Sequence, residues 1–407
     1  MPSNGPIEGK KSIRGPVSVG NASRFHITKV GGDQLIPRFV GSEIYRGSSY
    51  GPAHPLRVPR VSTVMDLVRA MGWLAPNQYL TSPRAKPEAL SVWHDPDYLA
   101  ALQDAERVQA VSDAVRARHA LGTAANPIFP EVFRRPATGV GGVMLAAAGL
   151  GAGPGVWHVP GGGTHHGMPD RANGFCYLND PVIAILSLRA QGLRRIAYVD
   201  IDAHHPDGVE YAFANDPDVL LVSIHEENRW PRTGALEDEG AGQVFNLPVP
   251  REFHDDEMAL VRDRMILPAV AAFRPEALVL QCGADAVTED PQSRLSLSNN
   301  AHWSVVSALR SMSDRIMVLG GGGYNPWSAG RLWAGNWAIL NNLEIPERLP
   351  AEAETVLRGL EFPGHRLGRA PPAHWFTTLR DAPREGPVRD TVRARVERLE
   401  ARLIPWV

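Results

Sequence analysis

One stretch of this chain gathers more ionisable side chains than a buried strand tolerates alone. In "YVDIDAHHPDG", residues 198–208, an extended backbone turns Asp200, Asp202 and His204 to one side and Val199, Ile201 and Ala203 to the other. Burying such groups without partners carries a heavy desolvation cost. A divalent cation offsets it, and mixed carboxylate and imidazole donors suit zinc, with iron, cobalt and manganese as other occupants of the same site. One strand supplies two ligands, so a third must come from elsewhere. Asp285 in "LQCGADAV" follows another apolar run, and Gly283 before it lets the backbone approach closely. Alone, Asp285 reads as a helix N-cap; beside the DxDxH stretch it reads as the third ligand. Two carboxylates and one imidazole leave a position open for water.

A second stretch, "PGGGTHHGMPDRANGFCYLND" at 160–180, sets His165 and His166 side by side behind three glycines. Adjacent histidines on a loop usually mean little. Near a metal-acidified water they gain a role, since an imidazole can take a proton from the water and return it to a leaving amine. Asp200 and Asp207 remain to orient the two rings. Tyr324 follows four glycines in "VLGGGGYNPW", where its phenol could donate to the oxyanion of a tetrahedral intermediate. By itself a GGGG run is more often a plain turn.

These residues need a scaffold, and the apolar pattern provides one. "GVWHVP", "RRIAYVD", "VLLVSIH", "EALVLQCG" and "DRIMVLG" are short apolar runs ending in glycine or polar residues, as parallel strands covered on both faces do. Helical stretches separate them: "ATGVGGVMLAAAGL", "PVIAILSLRAQG", "DDEMALVRDRMILPAVAAF" and "NNAHWSVVSALRSMSD". The alternation predicts a doubly wound α/β domain with its ligands beyond the carboxyl ends of the strands. Residues 1–32, rich in Gly, Ser and Pro, read as a flexible leader, 33–346 as the catalytic domain and 347–407 as a C-terminal extension. In the extension, Val388, Val392, Val396, Leu399 and Leu403 fall at helical spacing. That stripe either docks on the core or forms a homo-oligomer contact.

Composition removes several function classes. With 42 Lys plus Arg against 44 Asp plus Glu, the net charge of -2 predicts no attraction to nucleic acid or an anionic membrane. Cys176 and Cys282 are the only cysteines, which excludes a disulfide framework and suits a reducing compartment. No apolar run follows the N-terminal lysines, so the expectation is a cytoplasmic protein without a signal or membrane span.

The stretches "GPAHPLRVPRV", "NPIFPEVF", "GGGTHHG", "NGFCYLND", "YVDIDAHHPDGVE", "VSIHEE", "QCGADA" and "GGGGYN", in this order from Gly51 to Trp337, resemble the zinc-dependent histone deacetylase family, in its class I-like bacterial and acetoin-utilisation form. The resemblance implies the arginase/deacetylase fold: a single-domain, three-layer α/β architecture around a mainly parallel eight-stranded sheet. It implies one catalytic Zn2+ on Asp202, His204 and Asp285, with Tyr324 polarising the substrate carbonyl. His166 with Asp207 matches the general base and acid, and His165 with Asp200 an electrostatic helper. A structural K+ near Asp200, Asp202, His204 and Ser223 is implied as well. Gly174 and Phe175 match one side of an acyl tunnel, and Trp230 matches the other.

Departures from the family pattern concern substrate more than chemistry. Ala124 and Ala125 stand where relatives carry an acidic rim residue that grips a peptide backbone. The family's P-G-[TS]-G turn reads Pro231, Arg232, Thr233, Gly234, placing a cation near the tunnel mouth unless Arg232 pairs with Glu237 or Asp238. Gln292 replaces a hydrophobic residue of the tunnel, and Pro206 replaces a common glycine. The reading that results is hydrolysis of an N-acyl amide, either acetyl-lysine in a protein or a small acetylated amine such as an acetylpolyamine. A dinuclear manganese ureohydrolase would need a second DxD stretch, and "GADAV" supplies only Asp285. A silent acetyl-lysine reader would have no need of every one of these groups.

Overall fold

A computed structural model of the chain describes residues 35–363 and 365–404. The proposed leader, 1–32, lies outside them. Eight strands form one sheet: β1 (Arg38–Gly41), β2 (Tyr79–Thr81), β3 (Gly155–Val159), β4 (Ile196–Asp200), β5 (Val219–Glu226), β6 (Val244–Val249), β7 (Ala277–Gln281) and β8 (Arg315–Leu319). Their order is β2-β1-β3-β8-β7-β4-β5-β6. Every pairing is parallel, so the sheet is wholly rather than mainly so.

Side-chain alternation along the strands builds two layers of core. From β4, Ala197 and Val199 enter one cluster with Val261, Val270, Val305 and Leu309, while Ile196 and Tyr198 enter another with Val143, Leu150, Ile185 and Leu188. The second layer comes from the Arg134–Ala152 and Asp180–Ala190 helices, as the apolar runs predict. Strands β1, β2 and β6 had no clear sequence signal. The first two have four and three residues, and β6, at the edge, contains Pro248, which an edge strand tolerates.

The C-terminal extension packs into the same body. Trp375 stacks on Trp327 of the buried Pro326–Leu340 helix, with ring centroids 5.2 Å apart. From the same helix, the buried Arg331 donates to the carbonyls of Thr378, Leu379 and Arg380 and to the Asp381 carboxylate. In the Asp390–Ala401 helix, Val392, Val396 and Leu399, with Leu403 beyond it, are buried in the core cluster of Phe245 and Met265. Four of the five stripe residues thus dock on the protein's own core, and Val388 is half-buried outside that cluster. Among the described residues, no helix is long and apolar enough to cross a membrane.

Strands β3, β8, β7 and β4 lie side by side in that order, and each is followed by one chemistry-bearing stretch. His165 and His166 follow β3, Tyr324 follows β8, Asp285 follows β7, and β4 ends at Asp200. The site thus gathers at the carboxyl ends of four neighbouring strands, where open α/β sheets bind ligands.

Candidate active site

The strand ladder of β4 stops at Asp200, so alternation along a strand does not place Asp202 and His204 as the sequence suggested. The turn after the strand does so through its own backbone. The amide of Asp202 donates to Asp200 Oδ1 at 3.0 Å, and that of His204 to Asp202 Oδ1 at 2.9 Å. Such side-chain to backbone bonds are the usual way Asp shapes a turn.

Asp202, His204 and Asp285 converge, with potential ligand atoms all within 4.8 Å of one another and all three side chains buried. His204 Nδ1 lies 3.0 Å from Asp285 Oδ2 and 3.3 Å from Asp202 Oδ1. Asp285 sits in the short Ala284–Ala286 turn and caps no helix; its Oδ1 accepts from the Ala203 amide at 3.1 Å. Asp202 Oδ2 accepts from the Gly322 amide at 2.7 Å. Glycine is required around these carboxylates, because a Cβ on Gly283 would overlap Asp202 and one on Gly322 would overlap Asp285.

Electrostatics couple the three side chains. Burial opposes charge on His204, yet hydrogen bonds and attraction from Asp202 and Asp285 prevail and push its pKa up to about 10. Burial raises the Asp285 carboxyl, helped by the charge of Asp202, whereas His165 and His204 hold Asp202 below the usual range against its own burial. Two buried carboxylates facing one imidazole make a site whose charge suits a cation. The donors match a borderline divalent metal in type and number.

Beside the cradle are two carboxylate–imidazole pairs. His165 Nδ1 donates to Asp200 Oδ2 at 2.8 Å, and His166 Nδ1 to Asp207 Oδ1 at 2.7 Å. The two Nε2 atoms are 2.9 Å apart. Burial opposes protonation of His165, but Asp200 and Asp202 overcome it and carry its pKa to about 9. Burial and the neighbouring His165 charge push His166 down to about 4. Of the two rings, His166 is thus the one that stays neutral, and its Nε2 is the nitrogen left by the Asp207 bond to take up a proton.

Tyr324 is buried, and burial with the charges of Asp285 and Asp202 holds its phenol well above the usual value, as a hydrogen-bond donor. A narrow pocket of about 40 Å³ has His165, His166, Asp202, His204, Asp285 and Tyr324 in its wall, together with Phe175, Leu56 and Arg60. A far larger surface groove, about 930 Å³, runs along Arg84, Lys86, Arg107 and Arg134 and contains none of these groups. Chemistry rather than size marks the site.

Of the expected tunnel residues, Gly174 and Phe175 line the pocket, whereas Trp230 is not part of its wall and meets it through the His166 ring. Phe175 packs edge-on to Tyr324 at 5.9 Å, and Trp230 edge-on to His166 at 4.6 Å. A Cβ on Gly174, whose φ is +52°, would overlap the Trp230 ring. Ala124 and Ala125 are exposed beside the Phe175 wall, since Ala125 O lies 3.2 Å from His54 Nε2 and the His54 ring packs on Phe175 at 4.5 Å. Arg232 is exposed and makes no ion pair among the described residues, because Glu237 pairs with Arg398 and Asp238 accepts from the Ala235 amide.

Gln292 does not join the pocket wall; it is half-buried and its amide donates to Asp290 Oδ1, while Asp290 and Ser293 on either side turn toward the site. Ser223 lies directly opposite Asp200 in the β4–β5 register. Pro206 precedes the Asp207–Phe213 helix, where no helical N–H is lost.

Sequence reasoning missed several supports. Asn173 Nδ2 donates to Asp207 Oδ2 at 2.9 Å, and Tyr198 Oη to Asp200 Oδ2 at 2.6 Å. Asp290 Oδ2 accepts from the Tyr324 amide at 2.6 Å, fixing the backbone that carries the buried phenol. Burial and the charge of Asp285 push Asp290 up to about 7. Asn173 and Tyr198 sit inside recognised motifs and could have been found there; Asp290 carries no local signal.

The parallel eight-stranded sheet and the site at its carboxyl edge define a three-layer α/β scaffold of the arginase/deacetylase type. The profile of the histone deacetylase domain matches residues 54–340. Acetoin utilization protein AcuC of Bacillus subtilis (strain 168) is 31% identical over 328 residues, 77% of this chain and 84% of that protein. A crystal structure of an HDAC homolog from Aquifex aeolicus aligns with a TM-score of 0.85 and 32% identity, covering 89% of this chain and 99% of that one. An HDAC homolog complexed with SAHA gives 0.84 and 33%, with coverage of 89% and 99%. The chain belongs to the histone deacetylase family.

Proposed function

We propose that the protein is a zinc-dependent deacetylase that hydrolyses N-acetyl amides, on acetyl-lysine or a small acetylated amine, to acetate and free amine. The observation that carries this reading is one pocket wall shared by a three-donor cation cradle, two imidazoles each held by a carboxylate, and a buried phenol. Zinc held by Asp202, His204 and Asp285 would supply Lewis acidity toward the amide carbonyl and acidify a water. His166 takes a proton from the attacking water, with Asp207 holding its ring. Charged His165, held by Asp200, favours negative charge developing nearby. Tyr324 donates to the carbonyl oxygen as it becomes an oxyanion. The C–N bond then breaks, and the proton on His166 passes to the leaving nitrogen; a ring that resists protonation gives its proton up readily.

A structural K+ near Asp200, Asp202, His204 and Ser223 is part of the proposal. His225 Nε2 donates to the Gly234 carbonyl and burial keeps that ring neutral, so its Nδ1 accepts from Ser223. This leaves the Ser223 oxygen's lone pairs available to a cation beside Asp200.

The substrate reading follows from the rim. Exposed Arg232 and the uncharged Ala124 and Ala125 disfavour a polycation, so small acyl-amides bearing a carboxylate should outrun acetylpolyamines. The unpaired, buried cysteines fit a reducing compartment, which supports a cytoplasmic protein. A dinuclear ureohydrolase is disfavoured because the converging set among the described residues has only three donors.

The test is turnover of acetyl-lysine peptides, acetylpolyamines and acidic acetyl-amides by protein of measured metal content, with and without chelator. Chelator-sensitive acetate release is expected; binding of acetyl-lysine without release would favour the silent reader. Faster turnover of acetylpolyamines than of acidic amides would overturn the rim argument.

A further inference from the structure

The tunnel wall at Trp230 is held by a part of the chain that lies beyond the family match, which ends at 340. Trp230, 44% exposed, belongs to the 227–243 connection between β5 and β6. Its ring lies against Gly174 so closely that no Cβ fits between them, so small displacements of the connection would change the distance to His166. The connection has several local anchors: the Glu227 amide donates to the Val249 carbonyl, His225 Nε2 to the Gly234 carbonyl and the Ala241 amide to the Ala214 carbonyl. Buried Glu226 accepts from Arg229 and from the Arg294 amide, and Thr233 Oγ1 meets His205 Nδ1 at 2.9 Å.

A further hold, the one that comes from outside the family match, is made by the Asp390–Ala401 helix and the residue just past it. Arg395 donates to Glu227 Oε2 and to the Pro248 carbonyl, each at 2.7 Å. Arg398 donates to Glu237 Oε1 at 2.7 Å. Arg402 donates to the Val244 carbonyl at 2.8 Å, with Glu239 Oε1 at 3.6 Å and its guanidinium over the Phe245 ring. The three arginines fall three and four residues apart, on one helix face, while Val392, Val396 and Leu399 fasten the helix to the core. One rigid element therefore grips both ends of the connection that carries Trp230.

We propose that this C-terminal helix is a strap that positions Trp230, with Arg395 the positioning residue that matters most. The Arg398 pair is more than half exposed on both sides, where screening leaves little. Arg395 and Glu227 are 27% and 31% exposed, and Arg395 has a second bond to fixed backbone. The inference rests on the reading of Trp230 as a wall of the acyl tunnel.

The test compares full-length, metal-loaded Arg395→Ala, Arg395→Lys and Glu227→Gln proteins, with Arg348→Ala in a distant exposed pair as control. Two readouts are needed: kcat and KM for an acetyl-amide, and the rate of tryptic cleavage after Arg229 and Arg232. Arg395→Ala should raise KM about fivefold, the size of a partly exposed ion pair, with kcat little changed. Cleavage should rise by a similar factor, Arg395→Lys should restore part of both, and Glu227→Gln should add little to Arg395→Ala in the double variant. Unchanged cleavage and KM in folded Arg395→Ala and Glu227→Gln would overturn the strap. Absence of turnover by the wild type would instead defeat the deacetylase reading, and the proteolysis would still judge the strap.

Discussion

The cation cradle and the rim are built from opposite materials. In the cradle, buried carboxylates are fixed by backbone amides of the same or neighbouring strand ends, and glycines leave room for nothing else. At the rim, an exposed Trp230 and an Arg232 without an ion pair among the described residues ride on a connection that also receives surface ion pairs from the far end of the chain. The contrast teaches a division of labour. On the proposed function, the chemistry would depend on short-range geometry that tolerates no added atom, and substrate choice on contacts that can be altered without disturbing the fold.

Several measurements would sharpen or break this contrast. The largest effect should come from Gly322→Ala, whose added methyl displaces the Asp285 carboxylate. Turnover should fall by at least about a thousandfold, together with bound metal by elemental analysis; a metal-replete, active variant would show that the cradle is looser than described. Tyr324→Phe should keep its metal and lose about 10²- to 10³-fold in kcat, as loss of one oxyanion donor does. Loss of metal instead would make Tyr324 part of the cradle.

Acid titration separates the interior from the surface in another way. Burial alone pushes His158 down to about 3 from 6.5, and neither of its ring nitrogens has a partner between Phe39 and Trp337. The unfolded chain takes up this proton below about pH 6.5 and the folded one does not, so stability is full above that pH and is lost as pH falls toward 3. Between pH 7 and 5 the loss from this group is about 2 kcal/mol. Denaturant unfolding should show it, and His158→Phe should flatten the slope. The smallest effect should be at the rim, where raising salt from about 0.1 to 1 M should raise KM about twofold without changing metal content.

The sequence made the interior legible because its partners are near neighbours or lie at the ends of strongly apolar strands. DxDxH, the paired histidines, Asp285 after β7 and Tyr324 after β8 could all be read from local pattern and resemblance. What was misread is the local backbone: β4 ends before Asp202, and the turn rather than the strand aims the two ligands. The supports of the site were less visible. Asp290 holds the Tyr324 amide across 34 residues of chain, and Arg395 reaches Glu227 across 168. Pairings at such separations leave no periodic trace. Gln292 was placed in the tunnel by position in a motif, yet the turn at 290–293 sends its neighbours inward instead. The C-terminal stripe showed that something covers it; only the fold shows that the cover is its own core.

The central claim is that Asp202, His204 and Asp285 hold one metal ion on which amide hydrolysis depends. Zinc content and acetate release measured on the same preparations of wild type and Asp285→Ala test it most directly. The account predicts about one zinc per wild-type chain with turnover, and loss of both in the variant. Undiminished acetate release by metal-free protein would contradict it.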